Sequence, residues 1–61
     1  MTYTDKIRTL LAATGDSVDQ LSVKLDISRA TLYALLNGRS RDIRSRRNRN
    51  AIDAMMARVL Q

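Results

Sequence analysis

The sequence predicts a compact all-α domain of four to five helices, and three observations carry that expectation. Apolar residues recur at three- and four-residue spacings through most of the chain. Proline is absent, and the two glycines, Gly15 and Gly38, fall between those periodic runs, where glycine ends helices rather than interrupting them. The connections between runs are a few residues long, apart from one Arg-rich stretch. A chain of 61 residues has room for one domain, residues 1–61, with a small core. It contains neither Cys nor His, so disulfides and the usual zinc sites are excluded as staples, and helix packing or self-association must serve instead.

Tyr3, Ile7, Leu10, Leu11 and Thr14 share one helical face. This predicts a first helix over about 4–14, capped by Thr4, with Asp5 in its first turn and Gly15 just past its end. Ser17-Val18-Asp19-Gln20 is a capping box, with Ser at the cap and Gln three residues on. The second helix should run over about 18–25, presenting Val18, Leu21, Ser22 and Leu25 on one side. Asp26-Ile27 follows as a tight turn. Ser28 caps a third helix over about 29–37 with Leu32, Leu35 and Leu36 as its apolar side, and Asn37-Gly38 ends it.

Residues 39–49 contain six Arg and one large apolar residue, Ile43. This stretch reads as a solvated turn anchored by Ile43. Asn50 can cap a fourth helix over about 51–60, with Asp53 three residues on, although the helix could begin earlier within the Arg run. Ile52, Met55, Met56, Val59 and Leu60 form its stripe.

The net charge is +5, with nine Arg against two Lys, and all six acids are Asp. Such a balance points to a polyanionic partner, and Arg favours nucleic acid because its planar fork matches phosphate and guanine. With no Cys, no apolar run near the ~20 residues of a membrane span and no basic-then-apolar leader order at Met1–Asp5, a cytoplasmic protein without membrane contact is expected. Without His, Cys or Glu, and with no Gly-rich phosphate loop, nothing points to an enzyme, a cofactor, a metal or a small-molecule ligand.

Two short helices joined by a tight turn bury their apolar faces by crossing steeply, and Leu21, Leu25, Ile27, Leu32 and Leu35 are spaced for that. On spacing alone the alternative is an ordinary helical hairpin with no ligand. The stretch Val18–Asn37 resembles the helix-turn-helix of the phage Cro/repressor and Xre-like transcription regulators. The resemblance rests on Leu21 and small Ser22, then Leu25 and Ile27, then Ser28-x-x-Thr31-Leu32, and finally the exit Asn37-Gly38-Arg39. It covers about a third of the chain, with a helix on either side where that family has one. Asp26 stands where the family usually has Gly, Ser22 where it usually has Ala, and Val18 where it often has Gln.

The resemblance implies a lambda-repressor-like fold in which the second and third helices form the motif. It further implies a DNA-binding transcription regulator, more specifically a Cro-like repressor on a palindromic operator. The third helix would lie in the major groove. Its outward residues Ser28, Arg29, Ala30, Tyr33, Ala34 and Asn37 become candidate base contacts. Arg29 suits guanine, Asn37 adenine or phosphate, and the alanines thymine methyls. Tyr33 could meet a thymine methyl or a phosphate, or be a half-buried core ring. Ser28 and Thr31 could equally serve only the helix start. Candidate phosphate contacts are Ser17, Gln20, Thr31, Arg39, Arg41, Arg44 and Arg46; the alternative for the Arg run is a solvated charge cluster.

Double-stranded DNA is thus the expected partner, bound by a homodimer, since one module reading a few base pairs specifies little. Adjacent Met55 and Met56 should point apart, one into the core. The other, with Val59 or Leu60, would form the dimer interface, unless the whole stripe closes the core. Two other readings remain: an Arg-rich RNA-binding protein, and an antitoxin-like or other protein-interaction module docking through the fourth helix.

Overall fold

A computed structural model describes residues 1–39 and 43–60 of the chain. Every helix in it starts behind a hydroxyl. Thr2 precedes α1 (Tyr3–Thr14), Ser17 precedes α2 (Val18–Leu25), Ser28 precedes α3 (Arg29–Leu36) and Ser45 precedes α4 (Arg46–Val59). Each hydroxyl oxygen accepts the backbone N–H three residues on, at 3.1 Å for Asp5, 3.2 Å for Gln20, 3.2 Å for Thr31 and 3.3 Å for Asn48. That satisfies a donor with no partner inside the helix. The described residues form these four helices and no strand.

Two helix starts differ from expectation. Thr2, not Thr4, caps α1 because Asp5 stands three residues beyond it and accepts the Thr2 N–H in return, at 3.4 Å. The residue three beyond Thr4 is Ile7, which cannot reciprocate. Thr4 lies inside the helix and donates its hydroxyl to the Leu35 carbonyl at 2.9 Å, an acceptor at the end of α3 that also receives the Gly38 N–H at 3.3 Å. In α4, Asn50 is not the cap. The helix already begins at Arg46, within the Arg run, because Ile43 is buried in the core just ahead of Ser45 and Arg is a good helix former. Asp53 therefore does not face its own helix start. It accepts hydrogen bonds from Tyr3 Oη at 3.1 Å and Lys6 Nζ at 2.6 Å, which joins α4 to α1.

The ends follow the expected residues. Gly15, at φ +71°, returns its N–H to Leu11 at 3.0 Å. Asp26 takes the left-handed conformation at φ 56° and closes α2. The third helix stops one residue early, at Leu36. Asn37 is its cap, Gly38 turns left-handed at φ +75°, and Arg39 returns its N–H to Ala34 at 2.9 Å.

α1 lies against α3 and α4, and α2 against the same two. Their shared interior holds Ile7 and Leu10 from α1, Leu21 and Leu25 from α2, Ile27 from the turn and Leu32 and Leu35 from α3. Ile43 joins them, with Ile52, Met55 and Met56 from α4. Truncating a fully buried member such as Leu21 or Leu32 to Ala should remove about 2–5 kcal/mol, a large share of what so small a domain holds. The radius of gyration, 10.3 Å, matches the roughly 10–11 Å of a compact chain this long. No helix among the described residues is long and apolar enough to cross a membrane.

Candidate nucleic-acid interface

The packing of α3 decides which of its residues remain available. Leu32 and Leu35 point into the core, so the opposite side faces solvent. Arg29, Ala30 and Asn37 are exposed, Ala34 is half-buried, and Ser28 is exposed at the cap. Tyr33 is 46% exposed. The structure thus places Arg29, Ala30, Tyr33 and Ala34 on the side of α3 away from its buried leucines, with Ser28 and Asn37 at the two caps of that helix.

Ser28 and Thr31 are tied to each other. Besides the cap, their hydroxyls lie 2.8 Å apart, which is the helix-start role that their spacing left open. Ser17 and Gln20 form the expected capping box, in which Gln20 Oε1 accepts the Ser17 N–H at 2.9 Å. The amide NH2 group of Gln20 points elsewhere and has no partner among the described residues.

The start of α2 and the start of α3 lie side by side. Arg29 Nη1 sits 3.4 Å from both carboxylate oxygens of Asp19, across ten residues of sequence. A second bridge ties α4 to the intervening turn, where Arg47 donates to the Asp26 carboxylate. Neither pairing was legible in the sequence, because neither has the three- or four-residue spacing that puts side chains together on one helix. Asp19 reads from sequence as a first-turn acid and Arg47 as one basic residue among many.

The Arg47 bridge brings the start of α4 to the turn that ends α2. Arg39, Arg44 and Arg46 are exposed, and Arg46 and Arg47 open α4. Cations at a helix N-terminus oppose its dipole; the first turn of α4 carries no acid of its own, and the Asp26 carboxylate meets Arg47 there. Arg41 lies outside the described residues.

Most of the candidate dimer stripe closes the core, the alternative that the sequence left open. Met55 and Met56 are both buried, at 7% and 8% exposure. Adjacent positions on a helix point about 100° apart, and both find neighbours because α4 packs on α1 and α2 at once. Val59 is half-buried against the core, leaving Leu60, 61% exposed, as the apolar residue of that stripe at the surface. Among the described residues there is no pocket, and no cluster of three or more His, Cys, Asp or Glu side chains that could hold a metal. No protein-family model matches the chain, and no curated protein or solved structure matches it.

Proposed function

We propose that this chain is a sequence-specific double-stranded DNA-binding protein of the helix-turn-helix kind, with a lambda-repressor-like arrangement in which α2 and α3 form the motif. It would act as a Cro-like transcription regulator, α3 lying in the major groove. The observation that carries the reading is the outward side of α3. Arg29, Ala30 and Tyr33 stand free of the core there, with exposed Asn37 at the cap just beyond, on a helix with no acidic residue of its own. They offer the donors, acceptors and small apolar surface that base edges require.

Two further features support it. The first turns of α2 and α3 are linked by the Asp19–Arg29 pair, and helix starts suit phosphate contacts beside a groove. The exposed Arg39, Arg44 and Arg46 supply sequence-independent grip. The protein-docking alternative is weakened by the burial of Met55 and Met56, which leaves α4 little apolar surface to offer. Pairing of two copies on DNA remains part of the proposal, with Leu60 and Val59 as the stripe residues nearest solvent.

Selection from random duplex DNA tests it. An enriched site with two related half-sites, about one helical turn apart centre to centre, is expected. Tighter binding to structured RNA than to any duplex DNA, or no enrichment at all, would overturn the reading.

A further inference from the structure

We propose that Asp19 is a positioning residue for Arg29, holding its guanidinium at the start of α3 so that the remaining donors meet a guanine, and thereby setting the base preference that Arg29 expresses. The inference rests on the major-groove reading above and assigns a specificity role to a residue of α2 that does not itself belong to the groove helix.

The geometry is specific. One nitrogen, Nη1, is shared between Oδ1 and Oδ2 of Asp19, at 3.4 Å from each. A guanidinium has five N–H donors in a planar fork, so a contact through one corner leaves another edge intact. Recognition of guanine O6 and N7 uses two donors from one such edge. The backbone of Asp19 is well anchored, while its carboxylate is exposed to solvent. The residue lies in the first turn of α2, inside the Ser17–Gln20 capping box, and its carbonyl accepts the Ser22 hydroxyl at 2.7 Å. An exposed Arg otherwise samples many rotamers, and fixing one in advance removes part of the ordering cost of binding.

The sign of the charge adds a second effect. A carboxylate facing a polyanion is unfavourable unless paired. At a guanine, Arg29 satisfies the base and Asp19 together. At another base the pair is misplaced and the carboxylate repels the DNA. Asp19 thus penalises wrong sequences as well as preparing the right one.

The two effects predict changes of opposite sign in one variant, which a merely structural role would not produce. Wild type, Asp19→Asn, Arg29→Ala and the double variant are titrated against three duplexes: the selected site, the same site with the Arg29 guanine replaced, and an unrelated sequence. Arg29→Ala should reduce discrimination between the first two by about 5- to 150-fold. Asp19→Asn should reduce it by about threefold or more while tightening binding to the unrelated duplex by about twofold. In the Arg29→Ala background, Asp19→Asn should cause no further loss. Asp19→Glu, which keeps the charge at the helix start but displaces it by one carbon, should lose discrimination without the gain on unrelated DNA. Full discrimination in Asp19→Asn, or an equal loss with and without Arg29, overturns the inference. A wild type with no preferred duplex would instead overturn the groove reading on which it rests.

Discussion

At the scale of single residues, Asp26 shows a conflict and its local resolution. It is the one described non-glycine residue with positive φ, a conformation that most L-residues adopt only at a cost of about 1–2 kcal/mol. Asp is among the less penalised side chains there, and here its carboxylate also receives Arg47. Both groups of that pair are exposed, so the pair is worth no more than about 1 kcal/mol. Asp26→Gly should therefore leave stability unchanged or raise it by up to about 1 kcal/mol, whereas Asp26→Val should lower it by about 1–2 kcal/mol. Urea unfolding of the three proteins checks this, and a Gly variant less stable than the Val variant would contradict it. The tight turn at Asp26-Ile27 was legible in the sequence. The bridge to Arg47 was not, because 21 residues separate the partners.

At the scale of elements, α2 and α3 were the readable ones and α4 the less readable. Ser17 and Gln20 announce a helix start by mutual spacing, and Leu21, Leu25, Ile27, Leu32 and Leu35 all enter the core as their periodicity requires. Asn50 and Asp53 offer the same local spacing as a capping box, yet the helix runs straight through them. Burial of Ile43 fixes the chain upstream, and Asp53 finds Tyr3 and Lys6 across the molecule. Tertiary partners therefore decided a boundary that local chemistry left open. The outward side of α3 was legible by subtraction, once its inward leucines were known, whereas the Asp19–Arg29 contact needed the packing of two helices. The early start of α4 also has a functional consequence under the proposal, since it places Arg46 in the first turn of a helix. Arg44→Ala and Arg46→Ala should each weaken binding to selected and scrambled duplexes by similar factors. Each should also lower the slope of log Kd against log salt by about 1. Salt titrations on both duplexes measure this, and a loss confined to the selected site would move those residues from backbone grip to base recognition.

At the scale of the whole molecule, the acids face a net charge of +5; among the described residues Asp16, Asp19, Asp26 and Asp53 each pair with a base, and in Asp53 and Asp16 the pairing shifts the carboxyl. The Lys6 ammonium, hydrogen-bonded to Asp53, holds that carboxyl below its ordinary value despite partial desolvation, with Tyr3 adding to the effect. Lys24 does the same for Asp16, helped by Thr14. Groups with depressed folded values lend stability above the unfolded value, roughly pH 4, and lose it as pH falls through the folded one. Melting temperature should thus be lower at pH 2–3 than at pH 5–7, and Asp53→Asn should flatten part of that dependence. An equal acid loss in Asp53→Asn would show that the α1–α4 contact is not its source. The same contact has a mechanical meaning. Tyr3 and Asp53 are 50 positions apart, so joining them closes a loop whose chain-entropy cost is roughly 3–4 kcal/mol. The α2–α3 unit, by contrast, is assembled from near neighbours in sequence and needs no such closure. A folding chain should therefore form the middle first and zip the seam between its outer helices last. Tension applied near residues 3 and 53 would load that seam directly and open it before disturbing the pair of helices between.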